Sequence, residues 1–519
     1  MADVSTDVRE LTDLRTLGEL RRSGYRSVPV KDEMRRNLIA KLRAGEDIFE
    51  GIIGYDRTVI PQIENAILAR HDLILLGLRG QAKSRIIRML PRLLDDYIPV
   101  VAGSEINDDP FNPISKHARD LIEEMGDETP IEWRSRSERY GEKLATPDTT
   151  IADLIGDIDP IKAANRRLTY ADEEVIHFGI IPRTNRGIFA INELPDLQPR
   201  IQVGLLNIME EQDIQIRGFN IRFPLDVMMV FSANPEDYTN RGNIITPLKD
   251  RIDSQIITHY PKTLSVGIEI TRQEAWEDRN GTGDAHIPVH VPHYFREIIE
   301  QVAFEARQSE YIDQKSGVSA RMTRAAIEDL ISGAERRALL NGEKESGVRI
   351  TDLLYIEPAI TGKVELVYEG EQEGAQNVAR LLIGRAVNAI FRRYFPDPSD
   401  KKEGRSPYQA ILSWFARGNS VDLEPDMSFV EYARTLDRVE GLKEVVEKYT
   451  KPSGPEETAA AMGFVLEALH QNSLIGKELL DDALIYNDMM GSMLSSIGPF
   501  SDEDDEADDE DDDFYSRYG

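Results

Sequence analysis

The chain has no cysteine and only 8 histidines among its 519 residues. The lack of cysteine excludes disulfides and thiolate metal sites, and the scattered histidines show no spacing typical of a zinc site. No apolar run approaches the roughly 18 residues that a membrane helix needs. The first ten residues are polar and charged, unlike the start of a secretory signal. These absences lead us to expect a cytoplasmic protein with no membrane partner.

Basic residues are also scarce, since 62 lysines and arginines face 93 aspartates and glutamates, which gives a net charge of −31. The segment Asp502–Asp513 contains 11 acidic residues and no basic one. A surface this acidic repels the phosphate backbone of nucleic acids, which argues against nucleic acid as the main partner. Hydrophobic residues make up 40% of the chain, enough for buried cores, and the length is typical of about three domains.

An apolar run, Leu73–Leu76, ends abruptly at Gly77 and leads through a glycine-containing loop to Lys83 and Ser84. The residues that follow have helical apolar spacing, so the order predicts strand, loop and helix. This is the layout of a phosphate-binding loop, in which backbone N–H groups and a lysine meet phosphate and a serine reaches Mg²⁺. Ala82 departs from the usual glycine, because alanine resists positive φ. The alternative is a plain strand–turn–helix with an exposed lysine.

Two further apolar runs end in polar residues. Ile188–Ile191 leads into Asn192 and Glu193, and Val227–Ala233 leads into Asn234. Each fits a core strand with a polar end, but the upstream loop favours a Walker B strand followed by a sensor strand. Glu193 is then the candidate general base, Asn234 orients the attacking water, and Asn192 stands where an aspartate is usual. An amide accepts from a Mg²⁺-bound water without bringing charge, and we expect aspartate at position 192 to be harmless.

Two arginines stand at helix ends. Arg251 ends a short predicted helix and is a candidate arginine finger for a neighbouring subunit's γ-phosphate. Arg321 begins a helix and is a candidate nucleotide contact. For each, the alternative is a surface residue. Elsewhere, residues 95–150 are polar and predict a long irregular segment, and Asp213–Phe223 alternates around Gly218 as a β-hairpin should.

The order of these motifs resembles the AAA+ ATPases, and more narrowly the ATPase subunit of magnesium chelatase and the MoxR proteins. Two stretches, Thr149–Asp159 and Phe178–Gly187, are similar to the segments by which that clade enters and leaves an insertion ahead of the Walker B strand. The likeness covers about residues 46–340. Its departures at Ala82 and Asn192 bear on hydrolysis rate and Mg²⁺ affinity.

The resemblance implies an α/β fold, a P-loop AAA+ three-layer αβα domain with a helical lid, followed by a mostly helical C-terminal region. The expected divisions are a helical N-terminal segment at 1–45, the AAA+ nucleotide-binding domain at 46–262, the lid at 263–345, the C-terminal region at 346–490 and an acidic disordered tail at 491–519. The tail has the composition of disorder.

The resemblance also implies ATP and Mg²⁺ as cofactors. The expected nucleotide contacts are Gly77, Gly80, Gln81, Ala82, Lys83, Ser84, Arg321, Ile53 and Tyr55. Ser84 and Asn192 would hold the metal, and the catalytic set would be Glu193, Asn234 and Arg251.

The implied function is ATP hydrolysis at the subunit interfaces of a ring, usually a hexamer, that remodels a partner protein. The partner would carry a von Willebrand factor A domain. Two alternatives remain open. One is the ATPase subunit of a chelatase that drives Mg²⁺ into a porphyrin, although nothing in the chain recognises porphyrin. The other is an ATP-gated scaffold with little hydrolysis, which Asn192 would permit.

Overall fold

The computed structural model describes residues 12–159, 161, 173–216, 222–234, 243–279, 287–398, 406–480 and 483–489. The chain divides into two compact units. The first takes in residues up to 275 together with 306–324 and 360–375, and the second takes in 276–305, 325–359 and residues from 376 onward. The five-part division expected from the sequence stays a prediction. No helix in the described ranges is long and apolar enough to cross a bilayer.

The strands up to residue 275 are β1 (Leu73–Leu76), β2 (Tyr97–Val101), β3 (Ile131–Ser135), β4 (Tyr140–Leu144), β5 (Gly156–Ile158), β6 (Ile176–Phe178), β7 (Gly187–Asn192), β8 (Asp213–Gln215), β9 (Arg222–Pro224), β10 (Val227–Ala233) and β11 (Ser254–Ile257). The helices are α1 (Leu17–Arg22), α2 (Val30–Ala44), α3 (Val59–Leu68), α4 (Lys83–Met89), α5 (Lys116–Met125), α6 (Ile151–Leu154), α7 (Ile180–Arg183), α8 (Pro199–Glu211), α9 (Thr246–Arg251) and α10 (Leu264–Glu274). Short 3₁₀ helices lie at Leu90–Leu93, Gly126–Glu128, Glu173–Val175 and Leu194–Asp196.

Later helices are α11 (His293–Ala306), α12 (Arg321–Asn341), α13 (Glu357–Thr361), α14 (Tyr368–Glu373), α15 (Ala375–Tyr394), α16 (Gln409–Phe415), α17 (Phe429–Asp437), α18 (Leu442–Tyr449) and α19 (Pro455–Gln471), with a 3₁₀ helix at Ile350–Ile356. The remaining strands are β12 (Val289–His290), β13 (Ser346–Gly347), β14 (Val421–Leu423), β15 (Gly476–Leu480) and β16 (Ala483–Asn487).

The first unit is built on a five-stranded sheet in the order β11–β1–β10–β7–β4. Every neighbouring pair in it is parallel. Strands β7 and β10 are buried at every residue, which is why their sequences read as continuous apolar runs rather than alternating ones. Because the strands are parallel, their carboxyl ends lie at one edge of the sheet.

Apolar clusters cover both faces of this sheet. On one face Phe189 and Ile191 belong to a cluster with Leu205 of α8. On the other, Ile188 packs in a cluster with Ile86 of α4 and with residues of α2 and α3. Adjacent residues of β7 therefore face opposite layers, as the period of a strand requires. The structure confirms the predicted α/β class with three αβα layers.

The prediction of an irregular segment at 95–150 is wrong. Strands β2 and β3 pair antiparallel there, and α5 lies between them in the sequence. Strand β4 forms an edge of the central sheet. The cause is that β4, Tyr-Gly-Glu-Lys-Leu, is partly exposed along its whole length and has no apolar run. The hairpin prediction is confirmed by the antiparallel pair β8–β9, although Gly218 lies outside the described residues.

The two stretches expected to flank an insertion lie side by side. Strand β5, in the first stretch, pairs antiparallel with β6, whose last residue, Phe178, begins the second. Gly156 holds φ +124°, and a Cβ there would lie 2.4 Å from the carbonyl oxygen of His177. The ends of the two stretches are therefore neighbours in the structure, and the insertion between them stays a prediction.

The second unit is mostly helical, as expected. Helix α19 is buried from Ala459 to Leu469 and packs against α17 and α18. Ring stacking between Tyr294 and Phe464, with centroids 4.9 Å apart, adds to the apolar core. A small antiparallel sheet, β14–β16–β15, completes the unit and was not predicted from the sequence.

Candidate nucleotide-binding site

Three predicted motifs meet at the carboxyl edge of the central sheet. The loop after β1 begins at Gly77, Asn234 follows β10, and Glu193 follows β7. Strand β10 lies between β1 and β7, so the three polar segments are neighbours. This edge is where open α/β sheets bind ligands.

The loop from Gly77 to Ala82 has glycine where side chains do not fit. A Cβ on Gly77 would lie 1.9 Å from Thr258 Oγ1, and one on Gly80 would lie 2.4 Å from Ser319 Oγ. Gly80 also has φ +74°. Ala82 has φ 57° and ψ 12°, the left-handed conformation for which glycine is the ordinary choice. Ala82 thus holds the backbone conformation that the glycine usual at this position of a phosphate loop would favour.

Lys83 is 7% exposed and begins helix α4. Its Nζ donates to the carbonyl oxygens of Gly77 and Leu78, the latter at 3.0 Å, and to Asn234 Oδ1 at 2.7 Å. Asn234 Nδ2 in turn donates to Glu193 Oε2 at 3.0 Å. A chain of hydrogen bonds therefore joins the predicted phosphate-binding lysine, the predicted sensor and the predicted general base.

Glu193 and Ser84 are both accessible to solvent. Glu193 follows β7 in a left-handed conformation, φ 54°, and its backbone N–H donates to Ser232 Oγ at 3.3 Å. Its side chain is partly exposed at the sheet edge. Ser84 lies exposed in the first turn of α4, where backbone N–H groups attract an anion.

Asn192 is 7% exposed and makes two side-chain hydrogen bonds. Its Oδ1 accepts from Ser232 Oγ at 3.0 Å, and its Nδ2 donates to Glu142 Oε1 of β4 at 2.5 Å. Glu142 is also held by Arg88 of α4, at 2.9 and 3.0 Å, and by the Tyr140 hydroxyl at 3.1 Å. Burial raises the pKa of Glu142, but the donors from Arg88, Tyr140 and Asn192 outweigh it and lower the pKa overall.

Hydrogen bonds from Tyr55 and Thr258 hold the loop in place. The Tyr55 hydroxyl donates to the carbonyl oxygens of Gln81, at 3.1 Å, and His259, at 2.7 Å, and burial raises the pKa of Tyr55 to about 12. Gln81 Oε1 accepts from Thr258 Oγ1 at 2.6 Å. Ile53, two residues before Tyr55, is partly exposed. Of these predicted nucleotide contacts, Gln81 lies within the loop and Tyr55 is hydrogen-bonded to it.

The two predicted arginines differ in position. The segment Ser319–Ala320 packs against Gly80, so Arg321, exposed at the start of α12, follows directly on a loop contact. Arg251 ends α9, where its Nε donates to Glu210 Oε2 at 2.8 Å and its Nη1 to the Pro247 carbonyl at 2.9 Å. Its side-chain partners within the chain are thus on α8 and α9 and not in the loop.

The donor set fits ATP with Mg²⁺. The structure offers a loop with two glycines, a buried lysine amine, an exposed serine hydroxyl and an asparagine oxygen. No group of three or more His, Asp or Glu residues able to hold a metal occurs in the part of the chain that is described. Such a site suits Mg²⁺, which keeps several waters and is commonly held by phosphates with one or two protein oxygens.

No protein-family model matches this chain. It is similar to the solved structure of NtrX from Brucella abortus, with 13% identity, 60% of this chain and 58% of that chain covered, and a TM-score of 0.34. A candidate ATPase from Cytophaga hutchinsonii has 15% identity, 70% and 97% coverage and a TM-score of 0.27. A complex of the BchI and BchD subunits of magnesium chelatase has 18% identity, 62% and 98% coverage and a TM-score of 0.33.

The chain thus spans less than two thirds of the length of NtrX.

Sequence reasoning missed Glu142, Arg88 and Ser232. Ser232 had a signal, because it is the single hydroxyl near the end of an otherwise apolar strand. Arg88 lies on the face of α4 that points away from the apolar cluster and looked like an ordinary surface residue. Glu142 had no signal, since its strand was not recognised and it precedes Asn192 by 50 residues.

Proposed function

We propose that this chain is an AAA+ ATPase, similar to the magnesium chelatase and MoxR proteins, that binds ATP with Mg²⁺ and hydrolyses it between the subunits of a ring. The observation that supports this most is the hydrogen-bonded chain Lys83–Asn234–Glu193 at the carboxyl edge of the sheet. This chain joins an amine, an amide and a carboxylate, which in this proposal bind phosphate, orient the attacking water and act as the base.

Binding would begin at the loop. Lys83 Nζ now donates to two loop carbonyls and to Asn234, and on phosphate binding it would turn toward the β- and γ-phosphates. The N–H groups at the start of α4 would donate to the same anion. Ser84 and Asn192 would hold the metal and its waters, and Mg²⁺ would neutralise phosphate charge.

Catalysis would then rest on positioning. Asn234 would hold the attacking water beside Glu193, whose carboxylate would take a proton from that water. As the water oxygen bonds to the γ-phosphorus, the bond from that phosphorus to the β,γ-bridging oxygen would break, which releases ADP and inorganic phosphate. Arg251 of the neighbouring subunit would leave Glu210 and stabilise charge on the γ-phosphate. Groups fixed in place before the reaction supply most of such acceleration.

The site favours hydrolysis over a nucleotide-gated scaffold, because Glu193 is kept within hydrogen-bond distance of Asn234 and remains partly exposed. Release of phosphate from ATP by the purified chain separates the two functions. The remodelled client, a von Willebrand factor A partner and a hexameric ring extend this proposal, and their first test is nucleotide-dependent assembly followed by sedimentation. A porphyrin-metallating role has no support in the described residues.

The decisive experiment replaces Lys83 with alanine. We expect Lys83→Ala to abolish ATP binding, because the variant loses the buried amine of the loop while the glycine backbone remains. ATP titration followed by calorimetry measures this. Lys443→Ala, which removes an exposed lysine from α18, serves as the matched control and should bind as the unmodified chain does. Wild-type affinity in Lys83→Ala would refute the assignment of the loop.

A further inference from the structure

Asn192 has an amide whose orientation is set by its partners. Glu142 presents a carboxylate, which only accepts, so the Asn192 NH₂ group must face it at 2.5 Å. Ser232 donates its hydroxyl to Asn192 Oδ1 at 3.0 Å. The oxygen of Asn192 is thereby turned toward β10, the strand that separates β7 from β1 and its loop.

Glu142 is itself firmly placed. Two nitrogens of Arg88 and the hydroxyl of Tyr140 donate to its two oxygens, and its side chain is only 20% exposed. Arg88 belongs to α4, whose first turn carries Lys83 and Ser84. The same carboxylate therefore contacts the helix behind the phosphate loop and the residue at the end of the Walker B strand.

We propose that Glu142 is a positioning residue of the metal site, which carries on β4 the carboxylate that β7 lacks and holds Asn192 Oδ1 as an acceptor toward the loop. This inference rests on the proposed nucleotide function. Asn192 and Glu142 together then provide what one aspartate provides elsewhere: an oxygen facing the metal's waters and a nearby negative charge. In this pair the carboxylate stands on β4 and the amide on the adjacent strand β7, which is the reverse of a site with aspartate at the end of β7.

This assignment reverses the expectation that aspartate at position 192 is harmless. In Asn192→Asp a second carboxylate would face Glu142 across the 2.5 Å that now holds a hydrogen bond. The two like charges would repel, and the loss of the donor would leave Glu142 short of a partner in a largely buried position. Exchanging both groups at once, in Glu142→Gln/Asn192→Asp, restores one donor and one carboxylate.

The experiment compares four full-length proteins: wild type, Asn192→Asp, Glu142→Gln and the double variant. ATP affinity is measured over a series of Mg²⁺ concentrations. We expect Asn192→Asp to lose about tenfold of the Mg²⁺-dependent affinity, and Glu142→Gln to lose severalfold because two facing amides no longer fix the direction of Asn192 Oδ1. The double variant should return to within about twofold of wild type, since the new glutamine amide donates to the new carboxylate.

The matched control is Glu274→Gln. Glu274 pairs with Arg85, which lies three residues before Arg88 on α4, so this variant also removes a carboxylate from an arginine of that helix. It leaves Asn192 untouched, and its Mg²⁺ dependence should equal that of the wild type. Thermal unfolding without nucleotide is measured for all the variants. It shows how far positions 142 and 192 are coupled through the stability of the fold alone.

Three results would overturn the role of Glu142: wild-type Mg²⁺ dependence in Asn192→Asp, a double variant as weak as Asn192→Asp, or coupling that appears in the unfolding temperature alone. In each of these the wild-type chain still binds ATP, so the proposed function stands. Failure of the wild-type chain to bind ATP at any Mg²⁺ concentration would instead refute the proposed function, and this assignment with it.

Discussion

Ala82 holds a left-handed backbone conformation in the predicted phosphate loop, with φ 57° and ψ 12°. For an L-residue with a Cβ, that conformation costs about 1–2 kcal/mol. Glycine has no such cost, but it loses more chain entropy on folding, which lowers the stability by about 0.4–1 kcal/mol. The balance favours glycine at this one position, although alanine is the better residue in an ordinary helix.

We therefore expect Ala82→Gly to raise the free energy of unfolding by about 0.5–1 kcal/mol, measured by urea denaturation. Ala40→Gly is the control of opposite sign, because Ala40 is exposed within α2 and glycine there should cost about 1 kcal/mol. A loss of stability in Ala82→Gly comparable to that in Ala40→Gly would show that the loop does not hold this conformation.

At this scale the sequence identified the residues whose spacing or position after an apolar run is distinctive. Lys83, Glu193 and Asn234 were found in this way, and the structure joins them by hydrogen bonds. Glu142 was not found, because its position depends on the pairing of β4 with β7, and a one-dimensional pattern does not show which strands are neighbours.

At the scale of elements, helix α2 is fastened to the sheet by a buried ion pair. Arg139, which precedes β4 and is 0% exposed, donates two hydrogen bonds to Glu33 of α2, at 2.8 and 2.6 Å. Its Nε also donates to the carbonyl oxygen of Arg186, just before β7, at 2.8 Å. Helix α2, which was expected in a separate N-terminal segment, thus packs with the central sheet.

Breaking this pair should be costly. We expect Arg139→Met to lower the free energy of unfolding by about 3–5 kcal/mol, because it leaves the Glu33 carboxylate buried without its cation. Urea denaturation provides the measurement.

Two further variants serve as controls for this measurement. Arg21→Met removes the arginine of an exposed pair with Asp127 and should change stability by less than about 1 kcal/mol. The double variant Glu33→Gln/Arg139→Met should recover part of the loss. An Arg139→Met effect as small as that of Arg21→Met would mean that Glu33 stays solvated.

The elements that the sequence predicted well are those with a strong pattern. Strands β1, β7 and β10 were found because burial on both faces makes them continuous apolar runs. Strand β4 and the sheet β14–β16–β15 were missed, because short, partly exposed strands have too few apolar residues to show a period of two.

At the scale of the whole molecule, the proposed ring predicts that each active site is shared. Glu193 lies at the sheet edge with Lys83, whereas Arg251 lies at the end of α9, paired with Glu210 of α8. If Arg251 acts on a neighbour's nucleotide, Arg251→Ala and Glu193→Gln damage different halves of the same interface. Each variant alone should bind ATP and lose turnover, since one lacks the finger and the other lacks the base.

Mixing the two inactive proteins then gives the sharpest test. A mixed ring contains interfaces where an intact Glu193 from one variant meets an intact Arg251 from the other, and for random 1:1 assembly these make up roughly one quarter of all interfaces. Phosphate release should therefore recover to about that fraction of the wild-type rate. Glu210→Ala, which frees Arg251 from its partner within the chain, should keep turnover. A mixture as inactive as its parents would show that both groups serve one subunit, and full turnover in Arg251→Ala alone would remove this arginine from the reaction.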